Sequence, residues 1–200
     1  SFRLDAPIDM RLDPRVGISA AEFLETASKE SLVRAVRDYG EERRWLKVVD
    51  SIIKERGTGK LSRTLTAADL VAKAVGGFRS RQRIHPATKT FQGIRIAING
   101  ELESLVTVLP KAFRSLKIGG VMAVISFHSL EDRIVKRFMR KMAGRPEHRR
   151  DQSFLDQRQS VAELINTKAI FPSKKEVESN PKSRSARLRV LQKKSNPRFL

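Results

Sequence analysis

The spacing of apolar residues predicts that the chain begins with helices. Between residues 19 and 85, apolar side chains recur every three or four positions, which is the period of a helix with one buried face. A hydroxyl residue three positions before a carboxylate favours a helix start, because each side chain satisfies an amide of the first turn. The predicted helices begin at Ser19, run around Leu32 to Gly40 and over residues 41–57, and begin again at Thr66 before Gly76 and Gly77.

The pattern changes in the second half of the chain. A helical period runs from Thr88 to Leu116, with a predicted kink at Pro110. Residues 121–127 are apolar and largely β-branched without alternation, which predicts a strand buried on both faces of a parallel sheet. Ser129 is the predicted cap of the next helix. Two more candidate strands follow at residues 168–171 and 187–191.

This order predicts a helical block followed by an α/β block with three strands. A usual sheet has about five to six strands. Three strands without parallel neighbours would expose an apolar edge and face, which isolated proteins rarely tolerate. The chain also begins with Ser1 rather than Met. We therefore expect a preceding segment of a longer protein, or a partner chain, to cover that edge.

The charge of the chain indicates a polyanionic partner. The formal net charge is +19 and the isoelectric point is near 11.0, and such a field attracts phosphates. Basic residues concentrate at 79–95, 133–150 and 182–198. Apolar runs near 18 residues are absent from the sequence, which disfavours a membrane partner. Nucleic acid is the predicted partner, and charge alone does not separate RNA from DNA.

Cysteine is absent from the sequence. This excludes disulfides, thiolate metal sites and a cysteine nucleophile, and it makes the cytoplasm the expected location. The three aspartates near the start, Asp5, Asp9 and Asp13, lack the glycine and terminal glutamate of a calcium loop, so no metal site is predicted.

The turn after the strand at 121–127 is the best-placed site for chemistry, because ligands of α/β folds gather at the carboxyl ends of strands. His128 lies in this turn between Ser126 and Ser129. Two interpretations stay open: His128 contacts a ligand, or it orders the turn. A hydrolase triad is disfavoured, since residues so close in sequence rarely face one another and a third group is not identifiable.

The N-terminal loop is the second candidate region. Residues 2–13 hold three carboxylates and two arginines among apolar anchors and a proline. Such a loop lines a pocket or is a solvated segment with local ion pairs. Charge-dense segments are usually the latter.

Several strings together resemble the MraW family of small-subunit ribosomal RNA methyltransferases. The resemblance covers nearly the whole chain, with departures at Ala6, where the family usually has glycine, and at Gly100, where it usually has aspartate. The strings are SFR (1–3), PIDMR (7–11), YGEER (39–43), IHPATKTFQ (84–92), RIA (95–97), ISFHSLEDRIVK (125–136) and NPKSRSARLR (180–189).

The resemblance implies an α/β fold, part of a Rossmann-like sheet of an S-adenosylmethionine-dependent methyltransferase, with an inserted all-helical substrate-recognition domain. It implies an active-site loop and return segment at 1–18, the inserted RNA-recognition domain at 19–85 and the C-terminal half of the methyltransferase domain at 86–200. The family's glycine-rich cofactor loop and ribose-binding acid would precede Ser1. No cofactor-binding residue is therefore assigned in this chain.

The implied reaction is methylation of the exocyclic N4 of a cytidine in small-subunit ribosomal RNA. That nitrogen is a poor nucleophile, so acceptors for its hydrogens would help, and the base must leave the RNA stack. The alternative is a non-catalytic RNA-binding module. Assigned catalytic residues are Asp5, Asp9 and His128; assigned substrate-binding residues are Arg11, Arg83, His85, Lys89, Ser126 and Arg133.

Overall fold

The structure is a computed structural model that describes residues 4–77, 84–148, 151 and 159–197. It is a mixed α/β structure with many helices and a small antiparallel sheet. The described residues form two compact units, one ending at Glu101 and the other beginning at Leu102. The boundaries predicted at residues 18 and 85 are those of an inserted domain. The division into compact units does not test them, so they stay a prediction.

The first unit is helical. Ser19 caps its first helix by accepting a hydrogen bond from the Glu22 amide, as predicted. Ile8 of the N-terminal loop belongs to the core that these helices share, which includes Leu32, Val49 and Ile94. The helices are α1 (Ala20–Thr26), α2 (Lys29–Val33), a π-helical turn (Arg34–Tyr39), α3 (Trp45–Lys54), α4 (Thr64–Ala74) and α5 (Thr88–Asn99).

Two glycines let the π-helical turn pack closely on α5. A β-carbon at Gly93 would lie 2.0 Å from the carbonyl oxygen of Ala35 and 2.6 Å from the amide nitrogen of Gly40. One at Gly40 would lie 2.7 Å from the Lys89 carbonyl oxygen. Because only glycine fits at such distances, the two backbones contact each other directly.

The second unit packs two helices on one face of a three-stranded sheet. Its elements are α6 (Glu101–Ser115, which contains Pro110), β1 (Val121–Ser126), α7 (Ser129–Met142), β2 (Ala162–Leu164), α8 (Lys174–Ser179), a 3-10 turn (Pro181–Ser185) and β3 (Arg187–Lys193). In the sheet, β3 lies between β1 and β2 and is antiparallel to both. Met122 of β1 and Leu191 of β3 pack against Phe113, Val135 and Met139 of helices α6 and α7.

Lys193 is a buried cation in this unit, with 2% of its surface exposed. Its Nζ donates hydrogen bonds to the carbonyl oxygens of Arg114 and Leu116, at 3.1 and 2.7 Å. It also lies 5.4 Å from the centre of the Phe113 ring. The lysine therefore satisfies the carboxyl end of α6, where the helix dipole favours positive charge.

Two predicted helix caps are wrong. His128, not Ser129, caps α7, so the capping spacing starts one residue earlier than predicted. Thr66 lies inside α4, which begins at Thr64. Its hydroxyl donates to the carbonyl oxygens of Lys60 and Arg63 and so turns back along the chain instead of capping an amide.

Two strand predictions also need correction. Residues 168–171 form no strand; Ile170 makes an isolated bridge with Leu188, and the strand is Ala162–Leu164. Asn166 interrupts the pairing, because its side chain rather than the backbone accepts the Val190 amide hydrogen at 2.7 Å. The strand at 121 is not buried on both faces of a parallel sheet either: it pairs antiparallel with β3.

The other face of β1 is exposed. Val121 and Ile125 are 49% and 58% exposed, and Ala123 is exposed between them. Among the described residues, β1 pairs with β3 alone, so its second edge is open. The apolar edge and face that the sequence predicts are therefore present. Among the described residues, no helix is both long and apolar enough to cross a membrane.

Candidate functional site

The N-terminal loop is fastened to the helical unit by its backbone. The Ile8 amide donates to the Ser62 carbonyl at 3.0 Å, and the Thr64 amide donates to the Ala6 carbonyl at 2.9 Å. The Asp9 carbonyl accepts a hydrogen bond from Ala20, in the first turn of α1, at 2.6 Å. These bonds hold residues 6–9 against the starts of α1 and α4. The loop is thus an ordered part of the first unit.

Asp5 lies beside the start of α4. Its carboxylate accepts hydrogen bonds from the Arg63 guanidinium at 2.6 Å and from the Leu65 amide at 3.3 Å. The hydrogen bond from Arg63 contributes most to lowering the pKa of Asp5 below its ordinary value. Asp5 is therefore ionised at neutral pH and acts as an acceptor only.

Asp9 and Arg11 form a two-bond ion pair. The Nε of Arg11 lies 2.6 Å from one Asp9 carboxylate oxygen, and its second nitrogen lies 2.8 Å from the other. This hydrogen bonding is the main cause that lowers the pKa of Asp9. Arg11 also donates to the Gly17 carbonyl at 3.2 Å and so closes the loop on itself.

Asn99 holds the residue between this pair. Its side-chain amide donates to the Met10 carbonyl at 2.9 Å and accepts from the Leu12 amide at 2.8 Å. Met10 has a φ of +63°, in the left-handed region that a side chain rarely adopts. Such a conformation persists only where its surroundings impose it, and it occurs often at functional sites. The sequence patterns predicted no role for Asn99.

His85 and Lys89 lie at the start of α5. The Nδ1 of His85 accepts the Ala87 amide hydrogen at 3.1 Å, and Lys89 donates to the Glu41 carbonyl at 3.2 Å. Glu41 has a φ of +48° and lies two residues after the π-helical turn ends at Tyr39. The first unit thus brings His85 and Lys89 to one helix start next to the 39–43 string. Arg83 lies outside the described residues.

The turn after β1 is ordered by reciprocal hydrogen bonds in the second unit. The Nδ1 of His128 accepts the Glu131 amide hydrogen at 3.3 Å, and the Glu131 carboxylate accepts from the amides of Phe127 and His128, at 2.7 and 3.3 Å. An accepting Nδ1 places the imidazole proton on Nε2. That atom lies 3.4 Å from the Glu131 carboxylate. His128 therefore has the turn-ordering role that the sequence left open.

Ser126 and Arg133 flank this turn. Ser126 is 1% exposed, and within the described part of the chain its hydroxyl has no hydrogen-bond partner. Arg133 is exposed on α7.

The neighbouring Asp132 is buried and accepts hydrogen bonds from Arg189 at 2.6 Å and from Arg187 at 3.3 Å. This triad ties the start of α7 to β3 and so positions the turn.

The carboxyl end of β1 lies beside the start of β3. Ser126 is level with Arg187, whereas Leu164 at the end of β2 is level with Leu191, farther along β3. Ligands of α/β sheets bind at the carboxyl ends of strands. The turn with His128 begins at this end of β1, and the connection at 165–186 reaches it at Ile170, which pairs with Leu188.

The chain matches known proteins along nearly its whole length. The MraW methylase family matches residues 1–194. A relative from Nitrosococcus oceani, named ribosomal RNA small subunit methyltransferase H, is 46% identical over 98% of this chain and 62% of its own length. Relatives of the same name from Nitrosomonas eutropha and Herminiimonas arsenicoxydans are 46% and 44% identical. The chain spans about three fifths of the length of these relatives.

Three local features of the fold lie at or beside the quoted strings. The ordered loop at 6–12 contains PIDMR, the π-helical turn ends at Tyr39 where YGEER begins, and the capped turn after β1 lies within ISFHSLEDRIVK. The match at residues 1–194 includes all three. The chain belongs to the MraW methylase family.

Proposed function

We propose that the protein carrying this chain methylates the exocyclic N4 of a cytidine in small-subunit ribosomal RNA, with S-adenosylmethionine as the methyl donor. The observation that carries the proposal is the family match over residues 1–194, joined to relatives named as small-subunit ribosomal RNA methyltransferases. The net charge of +19 supports an RNA substrate. We propose the cytoplasm as its location.

The second unit is, in this proposal, the end of a Rossmann-like methyltransferase sheet. Its two parallel strands, β1 and β2, flank the antiparallel β3, and both helices cover one face. The open edge of β1 and the exposed side chains of Val121 and Ile125 then belong to the part covered by a preceding segment or a partner chain. The helical segment at 19–85 is the proposed inserted RNA-recognition domain.

One turn of this chain supports a cofactor site elsewhere in the protein. Methyltransferase sheets of this class bind the cofactor through a glycine-rich turn between a strand and a helix, but β1 and α7 are joined by Phe127 and His128 without glycine. We propose that S-adenosylmethionine binds mainly outside this chain. Calorimetric titration of the chain with the cofactor is expected to show no binding, and micromolar binding would contradict this assignment.

The proposed work of this chain is to hold and orient the RNA. Asp5 and Asp9 are ionised acceptors, suited to the N4 hydrogens of cytosine, and Arg11 orients Asp9 through their two-bond pair. Ser126 and His128 are proposed to contact the base as well. Arg83, His85, Lys89 and Arg133 are proposed to hold the RNA backbone.

Methyl-transfer assays test the proposal in a full-length protein that contains this chain. Transfer of labelled methyl groups to small ribosomal subunits is expected, with N4-methylcytidine as the product on nucleoside analysis. Asp9→Ala and His128→Ala are expected to lower kcat/KM by at least tenfold. Near-normal values for both would refute the site assignment, whereas the absence of any N4-methylcytidine would refute the reaction.

A non-catalytic RNA-binding module is the second candidate, favoured by the surplus of basic residues. The two candidates differ in one measurement. A module binds small-subunit RNA but yields no methylated nucleoside when the complete protein is supplied with the donor. Methylated product excludes it.

The proposed cover of the open sheet can be tested with a dye. The chain alone is expected to bind anilinonaphthalene sulfonate at the exposed apolar face. Fusion to the preceding segment of the Nitrosococcus oceani relative is expected to abolish most of that fluorescence. Equal dye binding by both proteins would contradict the proposed cover.

A further inference from the structure

Phe171 is an aromatic side chain that the fold presents to solvent. It is 62% exposed, and Ile170 beside it is 52% exposed. Both lie in the connection between β2 and β3, and Ile170 pairs with Leu188, which also pairs with Ile125 near the carboxyl end of β1. Phenylalanine is usually buried, so a large exposed ring at a ligand-binding edge indicates a contact surface.

The backbone around Phe171 is held in place. The amide and carbonyl of Ile170 each form a 2.9 Å hydrogen bond with Leu188 of β3. Pro172 follows Phe171 and restricts its backbone to extended conformations. The ring therefore loses little conformational freedom when a ligand binds.

Arg187 supports the ring from within the sheet. Its guanidinium carbon lies 5.9 Å from the centre of the Phe171 ring, which is within the range of a cation–π contact. Arg187 is itself paired with the buried Asp132 at 3.3 Å. The exposed ring is thus supported through Arg187 and Asp132 by the first turn of α7.

The connection around Phe171 is basic. Residues 165–186 and Arg187 together contain six basic and two acidic side chains. The exposed cations are Lys168, Lys174, Lys175, Lys182 and Arg184. Aromatic faces interleaved with cations characterise surfaces that bind single strands, since bases stack on the rings while lysines and arginines contact phosphates.

We propose that the connection at 165–186 binds single-stranded RNA, with Phe171 as a platform on which an unpaired base stacks. Lys174, Lys175, Lys182 and Arg184 contact the phosphates of the flanking nucleotides. An acidic protein segment would use the same cations but would gain nothing from a flat ring. This proposal rests on the proposed RNA substrate and extends it to a defined contact outside the residues assigned to the cytidine.

RNA binding by Phe171 variants tests the proposal, with fluorescence anisotropy of a labelled 12-nucleotide RNA as the measurement. Phe171→Leu keeps an apolar side chain but removes the ring, and it is expected to weaken binding about 5- to 100-fold, as loss of one stacked base does. Phe171→Trp keeps a ring and is expected to bind at least as tightly as the unchanged chain. Ile118→Ala, an equally exposed residue near the opposite edge, serves as the matched control and is expected to change nothing.

A duplex of the same sequence is the second probe. Its bases are stacked already, so Phe171→Leu is expected to leave duplex binding unchanged. Phe171→Leu binding within twofold of the unchanged chain, or Phe171→Trp as weak as Phe171→Leu, would overturn the platform while the RNA substrate stands. If the unchanged chain binds neither RNA, both the platform and the proposed substrate fail.

Discussion

His128 is fixed by the fold as a helix cap, and a contact with the base is proposed for the same side chain. Its Nδ1 caps α7, while Nε2 carries the proton and faces Glu131 at 3.4 Å. Capping needs an acceptor at the right distance, which asparagine or serine can also provide. Neither residue can replace an imidazole that contacts the base. The two roles can therefore be separated by substitution.

We predict that His128→Asn keeps the stability of the protein but not its activity. An N-cap replaced by alanine costs about 1 kcal/mol, so His128→Ala should lower the free energy of unfolding by that amount, and His128→Asn by little. Both should reduce methylation in the full-length protein if the imidazole contacts the base. Urea unfolding and kcat/KM measure the two effects. Normal activity of His128→Asn would leave His128 with the cap alone.

Asp132 is a buried carboxylate of the second unit that pairs with two arginines of β3. Burial alone would raise its pKa, but the hydrogen bonds and charges of Arg189 and Arg187 outweigh burial and hold the pKa below its ordinary value. A carboxylate with a lowered folded pKa stabilises above its unfolded value, about 3.9, and loses that contribution as the pH falls through the folded pKa.

We predict that Asp132→Asn is strongly destabilising at pH 7, by about 3 to 5 kcal/mol, since it leaves the buried Arg189 without a charge partner. The difference from the unchanged protein should begin to shrink only below about pH 4. Urea unfolding at several pH values measures it. Asp50→Asn, which removes an exposed pair with Lys29, is the control and should cost less than about 1 kcal/mol. A difference that does not change with pH would contradict the assigned titration.

At the scale of elements, the first unit depends on the close contact between the π-helical turn and α5. Alanine in a helix is normally more stable than glycine by about 1 kcal/mol. At Gly93 the new methyl group would meet the Ala35 carbonyl oxygen at 2.0 Å. Backbone atoms cannot rotate away as a side chain can, so the helices must separate.

We therefore predict that Gly93→Ala destabilises the protein by at least about 3 kcal/mol, the upper part of the usual cost of overpacking. Gly77→Ala is the control: its φ of +81° makes alanine strained, but its surroundings are open. It should cost about 1 to 2 kcal/mol, from backbone strain alone. Thermal unfolding compares the two. Equal losses would show that the contact yields.

The helices were predictable because their apolar period and caps are local signals. Ser19 and α5 agree with the prediction, and so does the strand at 121 in position. Its pairing was not predictable, since the apolar run in β1 does not show which strand lies beside it. The strand at 162 was missed because it has only three residues and ends at Leu164, two residues before Asn166, whose side chain replaces a backbone partner.

Part of the candidate site could be proposed from the sequence and part could not. The turn after β1 was proposed because it follows a strand, and the loop at 2–13 because of its charges. Asn99 and Phe171 carry no local signal: Asn99 contacts a loop about 87 residues away in sequence, and the exposure of Phe171 depends on the bridge to β3. Such contacts become visible only when distant segments are placed together.

At the scale of the whole molecule, the surplus of positive charge is spread over both units. In the proposed RNA complex, charge attracts the RNA without distinguishing sequences, whereas a stacking ring such as Phe171 contributes without charge. The two contributions respond differently to salt, because each phosphate contact releases counterions and stacking does not. Salt dependence can therefore separate the lysines from the ring within one connection.

We predict that the combined substitution of Lys174 and Lys175 by glutamine lowers the steepness of the salt dependence of RNA binding. The slope of log K against log salt changes by about 0.7 for each phosphate contact on a single strand, so loss of two contacts should reduce it by about 1.4. Phe171→Leu should weaken binding equally at every salt concentration and leave the slope unchanged.

Substitution of the exposed Lys111 and Lys117 by glutamine is the control. It removes the same charge near the opposite end of the sheet and should alter neither the slope nor the affinity at a given salt concentration. If all three variants show the slope of the unchanged chain, Lys174 and Lys175 do not contact phosphates. If the slope falls as much in the Lys111 and Lys117 variant as in the Lys174 and Lys175 variant, net charge rather than a defined set of phosphate contacts attracts the RNA.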